Sequence, residues 1–421
     1  MLRDWGPRTA RARRRWRLFA LGLGCLLGGA GCERRRDEPG VEPSARTSVA
    51  SVSPTPPAPS VAPSTSPTPS VASSQGIPAP ASDELVIVAG GDVNLARELG
   101  QEILKSPGRV TLFEGVEPLV GPADVFFVNL ESQLSDQGGE TQSPLNRLVF
   151  TGPPGGAAVL ARSGVDLVSL ANNHLWDYGK RAFFETLDHL DRAHVPYVGA
   201  SREPERMYEP TVIERNGWSI AVFAVTQIWN QGAIEVHPGR HHVAWARYDR
   251  LHKKLAQARA KHDIVLFSYH GGSEYLEMPM TWTRELLRVV MRAGVDAVFG
   301  HHPHVPQGIG WHRERPVFYS LGNLVFRMHS EHPWTGTGLL ARLTFRRDEP
   351  PAVEVCPVQI IGHEPRLLAR DEEAQRAAIR QHLEHVSLYV GGSEIDDPGE
   401  HGCMRVHPPP RRRIRQSTQG K

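Results

Sequence analysis

The chain has 421 residues, of which 40% are hydrophobic and 22% charged, and its formal net charge at pH 7 is +2. This length suits two ordinary domains or one large α/β domain, and the apolar fraction allows a substantial core. Because the charge is nearly balanced and the basic residues do not gather on one predicted helix, nucleic acid is excluded as an implied partner. The 20 histidines are an excess that a functional site would explain.

The first 31 residues have the pattern of an export signal. A basic segment, Arg3 to Arg17, precedes an apolar stretch over 18–31 that is too short to span a bilayer. The run LLGGAGC ends at Cys32 and resembles the lipobox of bacterial lipoproteins, in which the cysteine becomes the lipidated first residue. An ordinary secretory signal cleaved nearby is the alternative. We expect an exported protein, held by a lipid anchor on the periplasmic side of the cell envelope.

Composition divides the rest of the chain into segments. Residues 41–82 are almost entirely Ser, Pro, Thr, Ala and Val, so 32–82 should form a disordered tether that cannot bury enough surface to fold. The tether is followed by a domain over 83–365 and a C-terminal helical extension over 366–407. The Pro-rich basic end, 408–421, is expected to be disordered.

Apolar strand-like runs alternate with helical patterns from Leu85 onward. The predicted strands are 85–90, 124–130, 165–171, 219–226, 263–269, 295–299, 316–321, 338–346 and 353–361. The predicted helices are 180–193, 248–261, 281–293 and 372–386, the third because Leu286, Leu287, Val290 and Met291 recur at helical spacing. Continuous apolar strands between helices indicate an α/β fold with covered sheet faces, and the last two strands indicate a second or mixed sheet.

Side chains with the chemistry of metal ligands follow many of these strands. They are Asp92, Glu131, Asn173, His270, His302 and His304. Ligands of α/β proteins bind outside the carboxyl ends of the strands, so these groups can meet in one small volume. Oxygen and imidazole ligands suit Mn, Fe or Zn. The set is too large for one tetrahedral zinc but sufficient for two ions that share a carboxylate.

The stretch GHHPHV, residues 300–305, follows a predicted strand. In extended chain His302 and His304 would point to the same side, so both imidazoles could face one ion. Pro303 would keep His302 out of the α region, and Gly300 would allow a sharp exit from the strand. His301 is expected to face away from its neighbours, in a structural role.

Seven motifs carry a family resemblance: GGDVNLAR, VNLESQL, FTGPP, ANNHLWDYG, YHGGSEY, GHHPHVPQG and YSLGN. In this order, over about residues 85–330, they resemble the CapA family, which is named for poly-γ-glutamate capsule biosynthesis and lies within the calcineurin-like metallophosphatase superfamily. The resemblance implies a metallophosphatase-like α/β/β/α sandwich with two mixed sheets. The superfamily pattern D-x-H reads Asp92-Val93-Asn94 here, a departure that bears on the number and identity of the metals.

The resemblance also implies roles for individual residues. The six candidate ligands would bind two divalent ions, with Glu131 the bridge. His174 would lie beside the substrate and stabilise the phosphoryl group or protonate the leaving oxygen, oriented by Asp177. A further set would contact substrate or support the ligands, and it consists of Asn94, Asn129, Glu274, His301 and Asn323. Asn323 could equally be a turn residue.

The implied function is a phosphoesterase linked to capsule or poly-γ-glutamate synthesis, or to the metabolism of another envelope polymer. Its substrate would be a phosphorylated or polyanionic envelope molecule, and components of a polyglutamate synthase could be its partners. A non-catalytic accessory protein that binds the anionic polymer or its synthase is the alternative.

Two cysteines, three aromatic residues and several further histidines have less specific interpretations. Cys356 and Cys403 are free to pair in an oxidising compartment, although nothing in the sequence shows that they do. Trp176, Tyr178 and Tyr275 could line a substrate groove or pack in the core. The remaining histidine clusters are read as surface or rim loops, and they are His237, His241, His242, His329 and His332.

Overall fold

The computed structural model describes residues 83–136, 149–328 and 332–410. The predicted signal peptide with Cys32, the tether, His329 and the tail beyond residue 410 lie outside the described residues. No helix in the described part of the chain is both long and apolar enough to cross a membrane.

The described residues form strands and helices in an alternating order. In chain order the strands are β1 (Glu84–Val93), β2 (Val125–Leu130), β3 (Gln133–Leu134), β4 (Thr151–Gly152), β5 (Leu167–Ser169), β6 (Tyr197–Val198), β7 (Thr211–Arg215), β8 (Trp218–Thr226), β9 (Ile264–His270), β10 (Ala297–His301), β11 (Ile309–His312), β12 (Arg315–Phe318), β13 (Asn323–Val325), β14 (Thr337–Arg346), β15 (Ala352–Ile361), β16 (Glu364–Leu367), β17 (Glu394–Ile395) and β18 (Met404–His407). The α-helices are α1 (Arg97–Lys105), α2 (Glu117–Val120), α3 (Gly156–Arg162), α4 (Gly179–Arg192), α5 (Tyr248–Lys261), α6 (Thr281–Arg292) and α7 (Glu373–Leu388). Every strand and helix predicted from the apolar patterns is present.

Two mixed sheets contain most of the strands. The larger has the order β17-β18-β15-β14-β1-β2-β5-β6, with β13 paired to β1 and β16 paired to β15. Its members β1, β2, β5 and β6 run parallel, and β14 and β15 run antiparallel. The smaller has the order β11-β12-β10-β9-β8-β7, in which β8, β9, β10 and β12 run parallel.

The two sheets pack face to face. Ile87 and Phe127 of the larger sheet belong to the same buried apolar cluster as Ile220 and Phe299 of the smaller sheet. A sheet buries one face against another sheet in this way because its side chains alternate between faces.

Helices cover both outer faces. The apolar positions of α1, α3 and α4 pack on the larger sheet, and those of α5 and α6 pack on the smaller one, with Leu287, Val290 and Met291 buried as the spacing predicted. The predicted α/β/β/α sandwich with two mixed sheets is therefore confirmed.

Residues after 365 contribute more than a helix. Strands β17 and β18 extend the larger sheet, and Ile379 and Leu383 of α7 join the apolar cluster between the sheets. A disulfide joins Cys356 in β15 to Cys403, directly before β18. This bond lies beside the β15–β18 pairing and holds the last strand on the sheet.

Candidate metal centre

The candidate metal centre lies where strands of both sheets end. Asp92 is the next-to-last residue of β1, Glu131 directly follows β2, and His270 is the last residue of β9. Parallel neighbours end at the same edge of a sheet, and the packing of the two sheets brings both edges together. The structure thus gathers the six predicted ligands, and all six are buried.

Two groups of side chains have the spacing of a metal site. In each group the ligand atoms lie within 4.8 Å of one another; one group is Glu131, His270 and His302, and the other is Asp92, Glu131 and His304. Glu131 belongs to both. A carboxylate has two oxygens and can bridge two cations, so this arrangement fits a pair of ions that share Glu131.

Glu131 carries the clearest sign that a cation belongs here. Its side chain is fully buried, and neither carboxylate oxygen has a hydrogen-bond partner among the described residues. Burial, together with the negative charge of Asp92, raises the pKa of Glu131 well above its ordinary value. A buried carboxylate without partners is costly, and a bound cation would remove that cost. The residues present therefore fit a metal.

Asp92 is held in its ionised form by its surroundings. Burial alone would raise the pKa of Asp92, but contact with His301 and the charge of His304 hold it below its ordinary value. Asn129 Nδ2 donates to Asp92 Oδ1 at 2.8 Å, and the backbone N–H of His302 donates to Oδ2 at 3.3 Å. Asn129 thus orients the carboxylate of a candidate ligand.

His270 connects the two sheets through side chains. Its Nε2 lies 2.7 Å from Asn173 Oδ1, and its Nδ1 lies 3.3 Å from Asn129 Nδ2. Asn173 Nδ2 donates in turn to Asn230 Oδ1 at 3.1 Å. Burial lowers the pKa of His270 well below its ordinary value and lowers the pKa of His302 to about 3. Both imidazoles are therefore neutral, which is the form that binds metal.

The loop after β10 corrects three expectations about GHHPHV. His302 has φ +97° and His304 has φ +58°, so the stretch is not extended and alternation does not explain why both imidazoles face the site. His301 does not face away, since its Nδ1 lies 3.3 Å from Asp92 Oδ1. Gly300 lies inside β10, and a Cβ there would stand 2.0 Å from the Tyr319 carbonyl oxygen. Close approach of the next chain segment, not a sharp exit, explains the glycine.

Asn323 supports His304. Its Oδ1 lies 2.9 Å from His304 Nδ1, and its Nδ2 donates to the carbonyl oxygens of His304 and Thr335 at 3.2 and 3.0 Å. Because Asn323 Oδ1 accepts a hydrogen bond from Nδ1, the His304 ring carries its proton on Nδ1, and the lone pair of Nε2 is available to a metal. This Nε2 lies 3.9 Å from Glu131 Oε1. Asn323 therefore sets the ring orientation and tautomer of a candidate ligand.

His174 and Asp177 form a close pair beside the ligands. His174 Nδ1 lies 2.6 Å from Asp177 Oδ2, and His174 Nε2 lies 3.9 Å from Glu131 Oε1. Asp177 also accepts hydrogen bonds from the backbone N–H of Phe150 at 2.7 Å and from Gln231 Nε2 at 2.9 Å. These donors hold the carboxylate so that it orients the imidazole.

A cavity of about 460 Å³ opens beside this pair. His174, Asp177 and His304 line it on the metal side, and Glu274 and Tyr275 line it from the loop after β9. Glu274, predicted near substrate, is thus in the cavity wall. Tyr275 stacks on His332 with ring centres 5.4 Å apart, so His332 lies near the cavity rim.

Sequence reasoning missed seven residues of this cavity, which are Arg97, Val149, Phe150, Asn230, Gln231, Phe326 and Met328. Arg97 and Phe150 stand in the motifs GGDVNLAR and FTGPP, and membership of those motifs was the available signal. Asn230 and Gln231 belong to none of the seven motifs, and only their contacts with Asn173 and Asp177 identify them.

The two ligand groups do not include Asn94, Trp176 or the histidine cluster after β8 that the sequence places in a surface or rim loop. Asn94 Oδ1 accepts the backbone N–H of Ala96 at 2.8 Å, so Asn94 shapes a turn. Trp176 is buried and packs at 5.1 Å from Phe183, as a core residue does. The cluster of His237, His241 and His242 contributes to neither ligand group, although His242 stacks on Trp176 with ring centres 5.9 Å apart.

Comparisons with known proteins identify relatives of the chain. A family model described as bacterial capsule synthesis protein PGA_cap matches residues 86–328. The chain is 28% identical over 296 residues to the PGA biosynthesis protein CapA of Bacillus subtilis, which covers 69% of this chain and 76% of that protein. It is 28% identical over 294 residues to the capsule biosynthesis protein CapA of Bacillus anthracis, which covers 68% of this chain and 69% of that protein.

Solved structures show weaker likeness. The NAD nucleotidase of Haemophilus influenzae superposes with a TM-score of 0.36 at 13% identity, over 71% of this chain and 55% of that chain. The six candidate ligands, His174 and Asp177 all lie within the residues that the family model matches.

Proposed function

The chain belongs to the bacterial capsule synthesis protein family PGA_cap, and from this premise we propose that it is a dinuclear-metal-dependent phosphoesterase. It would act in the synthesis of capsule or poly-γ-glutamate, or in the metabolism of another polymer of the cell envelope. We further propose that it is exported and lipid-anchored through Cys32, and that components of a polyglutamate synthase are its partners. The names of its CapA relatives support the process, and the geometry of the candidate metal centre supports the reaction.

The observation that carries the proposal is the position of Glu131 in both ligand groups. Glu131 is fully buried and lacks hydrogen-bond partners among the described residues. One ion would be held by Glu131, His270 and His302, and the other by Asp92, Glu131 and His304. Asn173 would add an amide oxygen. Two divalent ions of Mn, Fe or Zn would supply Lewis-acid stabilisation of phosphoryl charge and a nucleophile made from water at neutral pH.

His174 has the geometry of the proton donor. Asp177 accepts the Nδ1 proton at 2.6 Å, and this bond fixes the ring so that Nε2 faces the site, 3.9 Å from Glu131 Oε1. From this position His174 would protonate the leaving oxygen or stabilise negative charge on the phosphoryl group. The Phe150 ring packs 4.1 Å from the His174 ring and excludes water from that face.

The activity is tested with the purified full chain and two chromogenic esters, p-nitrophenyl phosphate and bis(p-nitrophenyl) phosphate, with and without added Mn²⁺. We expect Mn²⁺-stimulated turnover that is lost in Asp92→Ala and His304→Ala. His174→Asn should lower kcat by about 10²- to 10⁴-fold, the usual effect of losing a general acid, with metal content unchanged. His252→Asn, a histidine on α5 outside the site, is the matched control.

The accessory-protein alternative gives the opposite results. If the chain is an accessory protein, neither ester should show metal-dependent turnover, and His174→Asn should leave capsule or polymer production in cells intact. Turnover that persists in both Asp92→Ala and His304→Ala would assign the activity to a contaminant or another site.

A further inference from the structure

We propose that Arg97 binds an oxyanion of the substrate in the cavity beside His174, at a point separate from the ester bond that is cleaved. The site would then select substrates that carry a second anionic group close to the scissile phosphoester. The proposal rests on the proposed function for the identity of the cleaved bond, whereas the anion binding itself is independent of catalysis.

Arg97 is held in an unusual backbone conformation. Its φ is +55°, in the left-handed region that non-glycine residues seldom occupy. Three hydrogen bonds fix the turn before it: Ala96 N–H to Asn94 Oδ1, Leu95 N–H to Ser132 Oγ, and Asn94 N–H to the Val325 carbonyl, at 2.8, 3.2 and 2.7 Å. Strained conformations that the surroundings enforce cluster at ligand-binding sites.

The guanidinium of Arg97 lies on the aromatic wall of the cavity. Its central carbon is 4.6 Å from the centre of the Phe150 ring and 5.7 Å from the centre of the Phe326 ring. Its Nη1 donates to the Arg327 carbonyl oxygen at 2.8 Å. The centre of the same Phe150 ring lies 4.1 Å from the centre of the His174 ring. The central carbon of the Arg97 guanidinium and the centre of the His174 ring are therefore no farther apart than the sum of their distances to the Phe150 ring centre.

The charges around the cavity make Arg97 decisive for an anionic ligand. Arg97 is the sole Lys or Arg among the described residues that line the cavity, whereas Asp177 and Glu274 line it with negative charge. In the metal-free protein that lacked Arg97, these carboxylates would repel an anion that approached His174. A guanidinium can bind a carboxylate or a phosphate through two parallel hydrogen bonds, and rings beside it suit the apolar part of a ligand.

The test is isothermal titration of the purified full chain, before and after loading with Mn²⁺, with three probes. Tri-γ-glutamate offers carboxylates, propane-1,3-diyl bisphosphate offers phosphates, and the amide-capped tri-γ-glutamate offers neither. We expect wild type to bind one or both anionic probes and not the capped peptide. Arg97→Gln should raise the Kd by about tenfold or more, as loss of a charge-assisted hydrogen bond does.

Arg97→Lys should give an intermediate Kd, because it keeps the charge and loses the paired hydrogen bonds. It also serves as the second variant if Arg97→Gln does not fold, and Arg109→Gln, an exposed arginine outside the cavity, is the matched control. Comparison of the Kd for tri-γ-glutamate with the Kd for the bisphosphate shows whether the bound group is a carboxylate or a phosphate.

An unchanged Kd for both anionic probes in Arg97→Gln, or no binding of either probe by wild type, would overturn the proposal. Arg97-dependent binding without ester turnover would support the proposal and refute the phosphoesterase. Ester turnover together with anion binding that does not depend on Arg97 would support the phosphoesterase and refute the proposal about Arg97.

Discussion

The Nε2 of His270 lies 2.7 Å from Oδ1 of Asn173, and this contact joins the end of the smaller sheet to the loop after β5 of the larger sheet. Neither sheet alone contains a complete ligand group, because Glu131 comes from the larger sheet, and His270 and His302 come from the smaller sheet and its following loop. Metal binding should therefore depend on the packing of the two sheets and should stabilise the folded sandwich.

Glu131 should govern both metal positions, whereas His302 should govern one. Wild type is expected to hold about two divalent ions per chain, His302→Ala about one, and Glu131→Ala close to none, because Glu131 belongs to both ligand groups. Inductively coupled plasma mass spectrometry after Mn²⁺ or Zn²⁺ loading measures the content. Glu349→Ala, at an exposed turn, should match wild type. Two ions retained in Glu131→Ala would refute a shared carboxylate.

Glu131 should make the metal-free protein less stable as the pH rises. Burial and the charge of Asp92 raise its folded-state pKa well above 4.5, the value expected in the unfolded chain. The folded protein then keeps a proton that the unfolded chain releases, so this contribution to the free energy of unfolding is full below pH 4.5 and is lost as the pH rises through the folded pKa.

Urea unfolding of metal-free wild type and Glu131→Gln between pH 4.5 and about 8 measures this effect. The stability of wild type should fall relative to the glutamine variant over this window, and metal loading should abolish the difference in slope. Identical pH profiles for the two metal-free proteins would show that Glu131 ionises normally.

Asn323 should control metal affinity through His304. Asn323→Ala removes the acceptor 2.9 Å from His304 Nδ1, which releases the ring and its tautomer. Loss of such a supporting hydrogen bond typically lowers metal affinity by about 10- to 100-fold. Competition titration with a chromogenic chelator measures the affinity, and Asn216→Ala, an asparagine that bonds Asp124 away from the site, is the control. Unchanged affinity would confine Asn323 to a role in the turn.

The disulfide between Cys356 and Cys403 should stabilise the fold without affecting the metal centre. The two cysteines are 47 residues apart, and closing a loop of that length is worth about 4 kcal/mol in the free energy of unfolding. The double substitution Cys356→Ala with Cys403→Ala should lose about that amount in urea unfolding, and reduced wild type should behave alike. Metal content should stay at the wild-type level; a loss would link the C-terminal strands to the site.

The elements with the strongest apolar patterns were predictable, and the short ones were not. Helix α6 was predicted over 281–293 and observed over Thr281–Arg292, because four apolar residues recur there at helical spacing. Helix α1 was missed because its nine residues bury little apolar side chain beyond Leu99 and Ile103. The contribution of residues after 365 to the larger sheet was also missed, since two-residue and four-residue strands such as β17 and β18 carry almost no period.

The candidate site likewise contains some residues that were predictable from the sequence and others that were not. Asp92, Glu131 and His270 could be named in advance, because each follows or ends an apolar strand and parallel strands end at one edge. The meeting of Arg97, Phe150 and His174 could not, because it joins three distant parts of the chain through side-chain packing.

By itself, then, the sequence determined an α/β fold with covered sheet faces and the types of side chain at its strand ends, because burial periodicity is a local property of strands and helices. Only the tertiary structure decided the direction of the side chains at the candidate site. The left-handed backbone at His302 and His304 breaks the alternation that sequence reasoning assumes, and His301, the last residue of β10, lies against Asp92. The sharing of Glu131 between two ligand groups likewise arises only where both sheets meet.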